Sequence, residues 1–200
     1  MARHGEPPQP RIVIGALGES GRQVTAGRRV VFLDRDGVVV VPEVRDGKGY
    51  AVRRLEDLEF YPDARSSVTR LRDAGFDVVI VTNQPDVAAG LIDGAVLDAI
   101  HAEVSATLEV LRIHTCRHAA SDGCGCRKPK PGLLAMEAAI EPVDFEGSWM
   151  VGDRDSDIAA GLAVGCRTVF IDRGWAAETG RGARAVAHSL AEAVDTILGA

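Results

Sequence analysis

Four short runs in this 200-residue chain are apolar almost from end to end: VVFL at Val30–Leu33, VVIV at Val78–Val81, WMV at Trp149–Val151 and TVFI at Thr168–Ile171. A strand that alternates apolar and polar residues can leave one face in water, but these runs have no polar face to leave there. They must be covered on both sides, which is the condition of a parallel sheet between two layers of helix. The intervening sequence supplies the helices. Asp63 is placed to cap one that carries Val68 and Leu71 and stops at Gly75. Asp93 starts a longer one with Leu97, Ile100, Val104, Leu108 and Leu111 on one face. Pro131 suits the first turn of a third, Ser156 caps a fourth that ends near Gly165, and the last spans Ser189 to Leu198. The pattern predicts an α/β fold, a Rossmann-like parallel sheet with helices on both faces.

One such domain fits residues 30–200, in a chain that is 46% hydrophobic overall and so can fill a core. Residues 1–29 are polar and punctuated by Pro and Gly apart from RIVIGAL, and read as a loosely attached extension with at most an edge strand or hairpin. The opening MARHGEPPQPR has no apolar stretch of the kind a secretory signal needs, and no run is long enough to span a bilayer. A cytoplasmic protein without membrane contact is expected. The net charge of −6 argues against a nucleic-acid partner.

In sheets of this kind ligands gather beyond the carboxyl ends of the strands. There the first run meets Asp34 and Asp36, the second Thr82 and Asn83, and the third Gly152 and Asp153. Carboxylates this close repel unless a cation lies between them or one keeps its proton. Both outcomes serve phosphoryl transfer, since Mg²⁺ takes carboxylate and carbonyl oxygens while one acid attacks phosphorus and another moves a proton. A calcium loop is excluded, because the twelfth position counted from Asp34 is Arg45 and from Asp153 is Val164, where a glutamate is required.

A second cluster lies between His114 and Gly132, in HTCRHAASDGCGCRKPKPG. Cys116, His118, Cys124 and Cys126 supply four ligands of the type that closes a tetrahedral zinc shell, with His114 as the competing histidine. A disulfide would leave one of these three cysteines unpaired in a reducing compartment. Cys166 stands apart and reads as a small buried hydrophobe.

In order along the chain, FLDRDGV, VTNQ, CRKPKPG and MVGDRDSD resemble the four motifs of the haloacid dehalogenase superfamily of aspartyl phosphatases. The Cys/His loop before CRKPKPG is similar to that of its capless branch of D-glycero-D-manno-heptose-1,7-bisphosphate 7-phosphatases and histidinol-phosphatases. The likeness spans Val30 to Arg173. It implies Asp34 as nucleophile and Asp36 as general acid and then base. It implies Thr82 and Asn83 on the phosphoryl oxygens, Lys128 neutralising them, and Arg127 and Arg154 toward the rest of the substrate. Mg²⁺ would be held by Asp34, the Asp36 carbonyl and Asp153, and Cys-x-His at 116/118 matches the branch's zinc ligands. Asp157 would orient Lys128 or merely occupy a helix start.

The intervals 37–81 and 84–127 are each about 45 residues, too short for a cap domain. A small phosphorylated sugar is the expected substrate, above all the C7 phosphate of a heptose 1,7-bisphosphate. The alternatives are histidinol phosphate or a sugar monophosphate, and a monomer is expected. One departure bears on that choice: where the branch reads Ala-Arg-Gly, this chain has Ala88, Ala89 and Gly90.

Overall fold

A computed structural model describes residues 27–175 and 177–200. The RIVIGAL segment and the rest of residues 1–26 lie outside the described residues. Six strands form one parallel sheet: β1 (Val30–Leu33), β4 (Asp77–Asn83), β5 (Arg112–Cys116), β6 (Trp149–Gly152), β7 (Arg167–Ile171) and β8 (Ala185–Ala187). Their order is β5-β4-β1-β6-β7-β8. A separate antiparallel hairpin joins β2 (Glu43–Arg45) to β3 (Lys48–Tyr50). The chain leaves β1 toward β4 and β5, then returns to β6 on the other side of β1. That reversal opens a crevice beyond the end of β1, where a ligand site is expected.

The two-sided burial required by the apolar runs is what the core displays. Val31 and Leu33 face a cluster with residues of α1 (Ala64–Asp73), α2 (Gly94–Leu108) and α5 (Leu190–Leu198). Val30 and Phe32 face a second cluster with α3 (Gly132–Ile140) and α4 (Asp155–Ala163). Helices thus cover both faces, and no cap domain interrupts the fold among the described residues. No helix among them is long and apolar enough to cross a membrane.

Several local readings shift. Helix α2 ends at Leu108 because Glu109 turns left-handed at φ 54°, so Leu111 lies beyond it, 46% exposed. Asp63 makes no cap for α1; its carboxylate instead accepts from the Ala191 N–H and caps the start of α5. Pro131 stands just before α3, and Ser156 lies inside α4, whose first turn is closed by Asp157 on the Arg154 N–H. Strand β5, reading RIHTC, has too few apolar residues to announce itself and sits at the sheet edge. It is tied to α3 by the wholly buried Glu137, which accepts from His114 at 2.8 Å and Arg28 at 2.6 Å.

His101 on α2 buries its Nε2 without a hydrogen-bond partner. Burial, then Arg35 and Arg117, pull its pKa down to about 4, with Asp98 opposing. In the fold it stays neutral while the unfolded chain takes up a proton near pH 6.5, so stability is lost as pH falls from about 6.5 toward 4. His101→Gln is expected to shrink the stability difference between pH 7 and pH 5 by about 2 kcal/mol, measured by urea denaturation.

Candidate active site

The crevice is built from strand ends. Asp34 follows β1, and the Arg35 carbonyl then accepts from the Val39 and Val40 N–H groups, turning the chain sharply. Gly37 takes φ +86° in that turn, and a Cβ there would fall 2.0 Å from the Asp153 carboxylate, so only glycine lets the ends of β1 and β6 approach. Asp153 follows β6, Asp157 lies in the first turn of α4, and Thr82 and Asn83 close β4. Carboxylate oxygens of Asp34, Asp153 and Asp157 all lie within 4.8 Å of one another, and all three residues are buried.

Among them stands one ammonium. Lys128 Nζ lies 2.7 Å from Asp157 Oδ1 and 2.9 Å from Asp34 Oδ1, and donates to the Val81 carbonyl at 2.6 Å. The Asp34 contact is an ion contact rather than a well-directed hydrogen bond. Burial alone would pull the Lys128 pKa down, but Asp157 and Asp34 prevail and push it up to about 12. Asp157 is raised to about 6 by burial and Asp34, with Lys128 opposing. Asp153 is raised furthest, to about 8, by burial and by its neighbours Asp34 and Asp157. Its Oδ1 is buried without a partner. One cation against three buried carboxylates leaves negative charge uncompensated, as a divalent cation would require. Asp157 thus meets Lys128 and also closes the first turn of its helix.

Asp36 is gripped from below. Its carboxylate accepts from the guanidinium of Arg35, which is wholly buried, and from Gln84 Nε2 at 2.8 Å. Gln84 also donates to Thr82 Oγ1 at 2.9 Å, which leaves the Thr82 hydroxyl proton free to point elsewhere. Asn83 also lines the crevice, and its side chain is engaged. Its amide pairs with the main chain of Lys128, donating to the carbonyl and accepting from the N–H, each at 3.1 Å. Above these groups opens a cavity of about 610 Å³ lined by Asp34, Asp36, Thr82, Lys48, Arg127 and Arg154, among others. Arg154 donates to the Gly49 carbonyl at 2.5 Å, and Arg53 at the rim pairs with Asp86 at 2.7 Å.

The cysteine cluster adjoins this cavity. Cys116 ends β5 beside Asn83 of β4, and its Sγ lies 3.6 Å from both His118 Nδ1 and Cys124 Sγ. Cys126 Sγ is 3.2 Å from His118 Nδ1 and 3.5 Å from Cys124 Sγ. Bonds of about 2.3 Å to sulfur and 2.0 Å to nitrogen would give tetrahedral edges of about 3.5–3.8 Å, so the cluster is close to the size of a zinc shell. His118, not His114, belongs to it, because His114 is held by Glu137. Lys130 Nζ donates to the Gly123 and Cys124 carbonyls at 2.7 and 2.8 Å, and Cys166 is buried elsewhere.

Arg35, Gln84 and Trp175 are the contributors that motif spacing does not single out. The first two lie within the quoted motifs, but side chains that grip another side chain leave no pattern of their own. Trp175 comes from a loop after β7 that no motif covers.

A family model described as HAD-hydrolase-like matches residues 125–193. The chain is 37% identical to the D-glycero-beta-D-manno-heptose-1,7-bisphosphate 7-phosphatase of Pseudomonas aeruginosa, over 82% of this chain and 89% of that one. It is 36% identical to the enzyme of the same name from Pseudomonas putida, over 82% and 90%. The D,D-heptose 1,7-bisphosphate phosphatase of B. bronchiseptica, solved with magnesium and phosphate, superimposes with a TM-score of 0.73 at 32% identity, covering 86% of this chain and 98% of that one.

Lys128→Met removes the sole ammonium among the three acids and is expected to cost about 3–5 kcal/mol of stability in EDTA. Adding Asp157→Asn should restore part of that loss, since one uncompensated charge goes with it. Urea denaturation of the two variants, alone and combined, checks both the loss and the coupling.

Proposed function

The chain belongs to the haloacid dehalogenase-like hydrolases, and within that family we propose that it is a Mg²⁺-dependent phosphatase that removes the C7 phosphate of D-glycero-D-manno-heptose 1,7-bisphosphate through a phosphoaspartate. The observation that carries this is the arrangement at the head of the cavity: Asp34 against Lys128, with Asp153 and its unpartnered Oδ1 beside them and Asp36 held within the turn that follows β1.

The residues present fit a Mg²⁺ ion, which the Asp34 carboxylate, the Asp36 backbone carbonyl and Asp153 would hold. When bound it would offset the charge of the phosphoryl oxygens. Lys128 adds its fixed positive charge to the same oxygens, and Thr82 offers its hydroxyl proton. Asn83 serves by holding the main chain of Lys128 in place. Asp34 attacks phosphorus as the bond to the sugar oxygen breaks, and Asp36 hands that leaving oxygen its proton. Asp36, now ionised, then takes a proton from water, which attacks the phosphoaspartate and frees inorganic phosphate and Asp34. Arg127 and Arg154 face the sugar portion. Cys116, His118, Cys124 and Cys126 hold a structural zinc, since four ligands leave no open position. A cytoplasmic monomer suits both a soluble sugar phosphate and thiols kept reduced for zinc.

A monophosphate substrate is the second reading, favoured by the rim. Ala88 and Ala89 bring no cation where the branch has an arginine, and Arg53 is already paired with Asp86, which leaves Lys48 as the hairpin's cation on the cavity wall.

Asp34→Asn is expected to reduce phosphate release to background. A comparison of kcat/KM on the heptose 1,7-bisphosphate, a heptose monophosphate and histidinol phosphate should rank the bisphosphate first, and a first place for histidinol phosphate would sink the heptose reading. Metal analysis of the purified protein should find one zinc per chain, lost in Cys126→Ser together with most of the activity while Asp34 and Mg²⁺ supply are untouched.

A further inference from the structure

Trp175 touches two parts of the site at once. Its indole N–H donates to Asp153 Oδ2 at 2.6 Å, the oxygen opposite the unpartnered Oδ1. Its ring also lies under the hairpin, where a Cβ added at Gly49 would come within 3.1 Å of Trp175 Cζ2 and of the Pro42 ring. Arg154, next to Asp153, reaches the same residue through the Gly49 carbonyl. The hairpin residues Lys48, Gly49 and Tyr50 line the cavity.

The loop that carries Trp175 is anchored on both flanks. Before it, Arg173 donates to the Gly37 carbonyl at 2.7 Å and stacks its guanidinium 3.9 Å from the Tyr61 ring. After it, Glu178 accepts from the Asp155 N–H at 2.7 Å at the start of α4. An indole fixed in this way can fix a carboxylate.

From this geometry we infer that Trp175 is a positioning residue that orients Asp153 toward Mg²⁺ and couples occupancy of the metal site to the position of the β2–β3 hairpin. The inference rests on the phosphatase reading. A bond to one carboxylate oxygen sets the direction of the other, and partners of this kind commonly change metal affinity by about 10–100-fold. Because the same ring supports Gly49, whatever shifts the hairpin also shifts Asp153, and the coupling runs equally in both directions.

Two substitutions separate the contacts. Trp175→Phe keeps most of the ring and removes the N–H, so Mg²⁺ affinity measured by calorimetry, with the metal alone, should fall about 10–100-fold. Its activity should return toward wild type at high Mg²⁺. Trp175→Ala removes the support as well, so its KM for substrate should stay raised even at saturating Mg²⁺. Unchanged Mg²⁺ affinity in Trp175→Phe would overturn the inference. A measurement on the unaltered protein guards against misfolded variants. The chain has two tryptophans, hence two indole N–H signals in a nitrogen–proton spectrum. Mg²⁺ should move the Trp175 signal and leave that of Trp149, and no movement of the Trp175 signal would count against the inference. A wild-type protein that bound no Mg²⁺ and released no phosphate would instead fail the phosphatase reading.

Discussion

The site depends on one buried ammonium. Lys128 is 3% exposed, and its charge is what allows Asp34, Asp153 and Asp157 to share a dry crevice. Taking a lone carboxylate out of water is prohibitively costly, so three together require compensation built into the fold. The compensation is partial. Lys128 lies within ion-pair distance of Asp34 and Asp157, while Asp153 has no such contact with it, keeps an oxygen without a partner, and has its pKa raised to about 8. The fold has stopped one cation short of neutrality. An ion that supplied the remainder would be bound strongly because the protein has already met the cost of burying its ligands.

Such an arrangement is only as good as the placement of Lys128, which comes from an irregular loop rather than from a strand or a long helix. The loop is fixed on four sides. Cys116 belongs to β5 and carries the cysteine cluster onto the sheet edge, and Lys130 draws the Gly123 and Cys124 carbonyls inward. The Asn83 amide brackets the Lys128 main chain, and the Val81 carbonyl receives its Nζ. Two of these four fixings come from β4. A metal at the cysteine cluster would act on catalysis at a distance, by keeping the loop from drifting away from Asp34.

The fully apolar runs made the central strands legible, and the polar residues at their ends made the rim legible. What escaped were elements whose identity lies in their neighbours. RIHTC becomes strand β5 because β4 offers a free edge and Glu137 ties it down. The hairpin is three residues on each side and mostly exposed, so it has no burial pattern to read. The choice between His114 and His118 turned on a glutamate 23 residues away from His114. Asn83 lay in the right motif, yet its amide reaches the main chain of Lys128. Spacing along the chain can place a residue at the rim, but only packing decides which way it faces.

That limit bears most on substrate choice. With no cap domain among the described residues, one side of the cavity is walled by a two-stranded hairpin, which is marginal on its own. Val44 on it is 57% exposed, so little apolar burial holds it. Its fixed point is Gly49, tied to Arg154 by hydrogen bond and set against Trp175 by close contact. Both anchors lie beside Asp153, Arg154 being the residue after it and Trp175 the donor to it. The hairpin wall of the cavity and the Asp153 carboxylate are thus one mechanical unit. A substrate that fits the hairpin poorly would disturb Asp153 as well, and discrimination would then fall on the rate of the reaction as much as on binding.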